Sequence, residues 1–545
     1  DLSASSDREP GVNTWDNARI DADNADSPSA LLFSPRGDYV FVAMQGNNLV
    51  SVFDDLAIRN GGGRSSVARL ESGQAPRGLA WDSATDSLWI QNFLSRDLTR
   101  IRTTDFLASG DRTLPTEHFP SSLFEPLETD VLTGKQIFFF AGNEPEGVNQ
   151  MSFEGYVSCA SCHLDGGHDG RTWDFTQRGE GLRNTHDLRG RAGMQHGNVH
   201  WTGNFDEIQD FAIEIIADFG GLGFLPDDEL PHPSLGTSNA GRSTQLDQLA
   251  AYVASLGRES LSRSPFRSFD GRMTESARQG ATLFTQLGCV TCHAPHTDYT
   301  DNTRGVATLH DVGTLRSSSG TRLGQALTGI ATPTLLGIWD TAPYLHDGSA
   351  ANLEDVFSVA GGRIHQAEEA QLSGGAEVPG FIEINWDSTS HGRLVRLGQV
   401  GATVSFSEID GGQGGPGALE LRFLPGSDGE LRVSVNSSSP QTIAFTRQTT
   451  HFEWARGRLE GVPLNPGPNN TITVELSASR HGTPALDHLT VSTSTDLALA
   501  NPHRIAGTLS AQDLARLTAY LRELDGRDAT GQLAQRDLLF RDSFR

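Results

Sequence analysis

Ser158 to His163 reads S-C-A-S-C-H, and 130 residues later Gly288 to His293 reads G-C-V-T-C-H. Cys-x-x-Cys-His is the attachment signature of c-type haem. Two thiols at this spacing each bond one vinyl group of a porphyrin, and the histidine that follows lies beneath the iron as its axial ligand. A four-cysteine zinc site would leave both histidines unexplained, and a redox-active Cys-x-x-Cys would need only one copy. The chain has four cysteines, Cys159, Cys162, Cys289 and Cys292, so all are consumed and none is left for a disulfide. The expectation is two covalently bound haems, with His163 and His293 as proximal ligands.

A chain of 545 residues is too long for one core, so roughly two to four domains are expected. Its net charge of -26 argues against nucleic acid and anionic membranes as partners and favours a basic protein surface. No run approaches the roughly 18 apolar residues that cross a bilayer. Because c-type haem is attached outside the cytoplasmic membrane, the expected location is periplasmic or secreted, after removal of a signal peptide.

Residues 1–25 are polar and are expected to form an irregular arm. Over 26–110 two similar units follow: Phe33 to Asp38 with strands Tyr39 to Ala43 and Leu49 to Phe53, then Trp81 to Asp86 with strands Ser87 to Gln91 and Leu98 to Arg102. Short alternating strands, a polar turn and a period in the forties mark propeller blades, and the stretch resembles the YVTN-type β-propeller. Two blades cannot close a ring, so this is a partial propeller.

The haem motifs sit in an internal repeat. Gly134, Ile137 and Phe138 precede the first, and Gly280, Leu283 and Phe284 precede the second in the same spacing. After each comes an amphipathic helix, with Leu246, Leu249, Val253 and Leu256 matched by Leu514, Leu517, Leu521 and Leu524. Ser510 with Asp513, and Thr244 with Asp247, have the spacing of an N-terminal cap. The closing helices are 268 residues apart while the motifs are 130 apart, and the difference, 138 residues, measures an insertion in the second domain. From Ile364 the text turns to alternating strands such as Leu419, Leu421 and Phe423, the pattern of a β-sandwich. The expected fold is therefore multidomain. It has two mainly α cytochrome c-type haem domains (111–262, and 263–363 with 497–545), two propeller blades, and an inserted β-sandwich or jelly roll over 364–496.

In the insert, A-E-E-A-Q-L-S-G-G from Ala367, G-P-N-N-T-I-T-V from Gly467 and L-D-H-L-T-V from Leu486 resemble carbohydrate-binding modules of families 6 and 35. That resemblance implies a structural calcium held by Glu368 and Asp487, and sugar contacts from Trp386, Trp454 and Asn470. Both Trp residues equally suit a packed core.

Elsewhere C-A-S-C-H-L-D-G-G-H-D-G-R-T-W, R-N-T-H-D-L-R-G, V-H-W-T-G, L-H-D-V-G-T, T-P-T-L-L-G and T-A-P-Y-L-H-D-G-S with A-N-L-E-D-V-F resemble the di-haem cytochrome c peroxidase and MauG family. The resemblance implies an oxidoreductase in which one haem meets hydrogen peroxide or oxygen and the other relays electrons. It implies Trp201 as the relay between them and an inter-haem calcium near Asn184 and the carbonyls around Pro333. The methionine that family peroxidases place after the second motif is absent, and the position of the MauG-type tyrosine holds Ala360. The second haem's distal candidates are then His503, preferred because it returns to the haem domain once the insert is removed, with His365 and His346 as alternatives. Near the first haem, His168, His186, His196 and His200 are candidates. Glu214, Gln209 and Glu207 are candidates for proton delivery to a bound oxygen species, although their spacing from Trp201 departs from the family. The implied electron partner is a small cytochrome or copper protein. The rival reading is a non-enzymatic electron carrier docked on a polysaccharide through its β-sandwich.

Overall fold

The computed structural model describes residues 26–533 apart from 56–65, 105–113, 115, 143–149, 227–228, 303, 306, 316–318, 359–362, 380–392, 447–454, 481, 495–502, 504 and 506–508. The arm at 1–25, Ala360, Trp386 and Trp454 therefore lie outside the described residues.

The N-terminal part forms two four-stranded antiparallel meanders. The first holds β1 (Pro28–Phe33), β2 (Tyr39–Met44), β3 (Leu49–Asp54) and β4 (Ala68–Glu71). The second holds β5 (Pro76–Asp82), β6 (Ser87–Asn92), β7 (Asp97–Arg102) and β8 (Thr116–Pro120). Phe41, Val50 and Val52 of one share a core with Leu88, Ile90 and Ile101 of the other. β8 carries the second sheet past residue 110, where the sequence placed its end. This edge strand is mostly exposed and lacks the alternation that marks a buried one.

Two helix pairs follow: α1 (Thr129–Phe139) with α2 (Thr244–Ala254), and α3 (Glu275–Gln286) with α4 (Ala511–Arg522). Each crosses at a glycine. A Cβ on Gly134 would overlap the Gln248 carbonyl, and one on Gly280 would overlap the Arg516 carbonyl. The close approach lets Phe138 meet Tyr252 edge-on at 5.0 Å and Phe284 meet Tyr520 at 5.3 Å. Ser510 caps α4 as its spacing implies. The cap of α2 is Ser243, one residue before Thr244, because Ser243 has the extended backbone from which its side chain accepts the Leu246 N–H.

Residues 363–492 build a sandwich of six-stranded and five-stranded antiparallel sheets. Leu419, Leu421 and Phe423 of one sheet face Leu431, Val433, Ile472 and Val474 of the other across one core. The entering strand Arg363–Gln366 pairs with the leaving strand Ala485–Ser492, so the insert returns the chain to where it left. Its long edge docks on the second helix pair's unit. Arg456 Nη2 donates to the Ser349 carbonyl at 2.7 Å, and its Nε meets Asp355 at 3.2 Å.

Candidate functional site

The first motif is a single helical turn, Cys159–Cys162, entered through Ser158. Ser161 Oγ accepts the Ser158 N–H at 2.8 Å, and the hydroxyls of both serines donate at 2.7 Å to opposite oxygens of Asp26, at the foot of the first blade. Burial, opposed by those hydrogen bonds, raises the Asp26 carboxyl to about 6. The turn sets His163 so that its Nδ1 faces the carbonyls of His186 at 2.9 Å and Gly167 at 3.1 Å. A carbonyl only accepts, so Nδ1 carries the proton and Nε2 keeps the lone pair a metal needs. The second motif repeats this: His293 Nδ1 faces the Tyr299 carbonyl at 2.8 Å and also bonds the Pro333 carbonyl. Burial lowers both imidazoles, keeping them in the neutral, ligating form.

The two units meet about a local two-fold. Val199 bridges Phe205, and Tyr344 bridges Ala350, with the same spacing and with a left-handed residue, His200 or Leu345, just inside each. Trp201 and His346 thus occupy equivalent places, and their rings lie 6.4 Å apart at 67°. The hydrogen bonds are reciprocal: Ala331 N–H to the Trp201 carbonyl at 2.8 Å, and Asn184 N–H to the His346 carbonyl at 2.7 Å. Trp201 Nε1 donates to the Asn184 carbonyl at 2.7 Å, and its ring stacks on His186 at 4.3 Å. Trp201 is therefore joined to His163 through His186, and through Ala331 it is two residues from the Pro333 carbonyl that holds His293.

Where the units differ, their chemistry differs. Facing His293 is His503, with ring centres 6.3 Å apart and planes at 38°. Two imidazoles bonded from opposite sides to one metal at about 2.0–2.1 Å each put their ring centres about 6 Å apart. Burial, with the charge of His293 adding, lowers His503 to about 4, so it too is neutral. The pair fits one haem iron. The first unit instead gathers charged groups: Arg178 Nη2 bonds Glu214 Oε1 at 2.6 Å, and His200 Nε2 lies 3.5 Å from the same oxygen. Glu180 is 3.6 Å and Asp218 3.1 Å from the Arg178 guanidinium. Glu214 sits close enough to the first motif for its charge to add to the burial that pushes the Cys159 thiol up to about 12. At the equivalent of His200 the second unit has Leu345.

Several expected residues have other work. Glu207 accepts from Ser238 Oγ at 2.6 Å and from Asn239 N–H, and Gln209 donates to Asp247 at 2.8 Å; both brace the loop before α2. His168 bonds the Asp340 carbonyl, and His196 lies 3.1 Å from Asp298. His346 faces Ser319 at 3.0 Å beside Trp201, and His365 pairs opposite Leu489 inside the sandwich sheet. Asn184 turns its Nδ2 to the Pro343 and Leu345 carbonyls, not toward Pro333, whose carbonyl serves His293.

In the sandwich, the Asp487 carboxylate meets the buried Arg422 guanidinium at 2.6 Å and His488 Nδ1 at 2.9 Å. Asn470 is buried and knots a loop, donating to the Ile409 and Asn465 carbonyls and accepting from Asn465 N–H, so it presents nothing to a sugar. Arg178, Glu180 and Asp26 are absent from the residues named on sequence alone. Arg178 meets Glu214 36 residues away, and Asp26 meets Ser158 132 residues away, so no local spacing carries the signal.

The family described as RoxA-like, cytochrome c-like matches residues 329–363, the stretch that carries Pro333 and His346. The hydrazine synthase subunit gamma of Kuenenia stuttgartiensis is 29% identical over 247 residues, covering 38% of this chain and 65% of that protein. Among solved structures, a family 35 carbohydrate binding module from Clostridium thermocellum is 24% identical over 24% of this chain and 97% of that one, with a TM-score of 0.21. An exo-β-1,3-galactanase from Phanerochaete chrysosporium is 24% identical over 25% of this chain and 30% of that one, also with a TM-score of 0.21. The Cys-x-x-Cys-His motifs and the cytochrome c-like match together make this a protein with covalently bound c-type haem. No helix among the described residues is long and apolar enough to cross a membrane.

Proposed function

We propose that the chain is an exported di-haem oxidoreductase of the cytochrome c peroxidase and MauG type, in which the centre at His163 reacts with hydrogen peroxide or oxygen and the centre at His293 relays electrons. The observation that carries this reading is the asymmetry between two copies of one fold. The second copy sets His503 opposite His293 at the spacing of two ligands on one iron. The first sets a carboxylate, an imidazole and a guanidinium beside its motif instead. The likeness to a cytochrome c-like family and to a hydrazine synthase subunit supports haem redox chemistry in general. The choice of peroxide or oxygen rests on the family resemblance and on this pocket.

Haem at His163 supplies the redox reaction with the oxygen species; the protein's residues supply its protons. Glu214, with His200 3.5 Å away, is placed to pass a proton toward the leaving oxygen, and Arg178 fixes its side chain in place. Trp201 lies between the two proximal histidines and carries electrons from the second centre to the first. Closed by two neutral imidazoles, the second centre suits electron transfer. Asn184 Oδ1, buried without a hydrogen-bond partner near the Pro343 and Leu345 carbonyls, is where an inter-haem cation would bind. A net charge of -26 favours a basic redox protein as electron partner.

The test is the rate at which the half-reduced protein consumes peroxide, followed by stopped flow. Glu214→Gln keeps the shape and removes the proton, so a fall of about 10²-fold is expected. An unchanged rate removes Glu214 from the chemistry.

A further inference from the structure

The Arg191 side chain has no hydrogen-bond or ion-pair partner among the described residues, and its Nε is cut off from solvent. The nearest candidate, Asp187, is taken by Arg189, whose Nη2 bonds it at 2.6 Å. A guanidinium stays charged in proteins, and a buried unpaired charge is strongly destabilising. Burial pulls Arg191 down to about 10, with Asp187 opposing at longer range. The residue as a whole keeps some accessible surface. Beside it is a second orphan, His186, whose Nε2 is buried without a partner. Burial and then the charge of Arg191 hold this imidazole well below its usual value, so it stays neutral. Both groups lie at the first motif, because the His186 carbonyl bonds His163 and the charge of Arg191 acts on the His186 ring.

We infer that Arg191, with His186 as second donor, is the receptor for a propionate carboxylate of the first haem. Two neighbouring buried donors without partners call for one anion, and a haem attached at Cys159 and Cys162 brings two carboxylates with it. The position has no counterpart in the second copy, where Pro333 stands in the place of His186 and offers only its carbonyl. A free small carboxylate has the same chemistry, and the experiment separates the two sources. The inference rests on the first haem of the proposed reading.

The experiment is spectroelectrochemistry of the full holoprotein, with haem counted per chain in the same samples. A cation beside a propionate stabilises the reduced haem. Arg191→Leu should therefore lower one of the two midpoint potentials and leave the other in place, Arg191→Lys should keep most of the native value, and acetate should leave the wild-type spectrum unmoved. His186→Leu, which keeps the charge, should shift the same midpoint downward by less, and it serves if Arg191→Leu does not fold. Two haems per chain with neither variant moving a potential would overturn the inference alone. An acetate-induced shift that Arg191→Leu abolishes would overturn it by assigning the site to a free anion. Fewer than two haems per chain would instead remove the reading on which it rests.

Discussion

Asp26 holds the first haem motif from a distance of 132 residues, and it does so as a buried acid. Its ordinary value of 3.8 is raised to about 6, so the folded protein binds this proton more tightly than the unfolded chain does. Stability from this group is then greatest in acid and falls as pH rises from about 4 to 6, by about 3 kcal/mol over the full shift. Asp26→Asn should flatten that component, measured as the unfolding midpoint of mutant and wild type between pH 4.5 and 7; parallel curves would show that Asp26 is ionised throughout. At the other centre, His503→Ala should turn a low-spin ferric haem high-spin, read in the visible and paramagnetic resonance spectra. From the sequence His503 ranks first among three histidines, with His365 and His346 beside it, because no methionine follows the second motif and subtracting the insert returns His503 to the haem domain. Arg178, Glu180 and Arg191 were not legible there, because each is defined by neighbours that only the folded chain brings near.

Elements were clearest where periodicity and packing agree. The leucine stripes at 246–256 and 514–524 fall on α2 and α4, and Leu419, Leu421 and Phe423 point into the sandwich core, because both patterns record burial. Caps and edges were less clear. A single hydrogen bond chooses between Ser243 and Thr244, and the exposed strand β8 has no apolar rhythm to reveal it. Of the residues named through the sugar-binding resemblance, Asn470 is drawn into a loop, where its letter serves packing. The repeated glycines were visible, and the helix crossings explain them. Gly134→Ala and Gly280→Ala should each cost about 3 kcal/mol, since the obstacle is a backbone carbonyl that cannot swing aside. Denaturant unfolding monitored at the haem band checks both, and equal costs are expected because the crossings are equivalent.

At the scale of the whole molecule, the two helix-pair units are locked by reciprocal backbone bonds around Trp201 and His346, the blades brace the first and the sandwich braces the second. In the proposed reading these two copies of one frame carry one closed centre and one polar one. The central claim is that division of labour, and the spin states of the two irons test it most directly. Paramagnetic resonance of the oxidised and half-reduced protein should give one low-spin ferric signal from the His293–His503 centre and, in at least one state, a high-spin signal from the His163 centre. Two low-spin haems in both states would contradict the account, because neither iron would then have a face open to peroxide or oxygen.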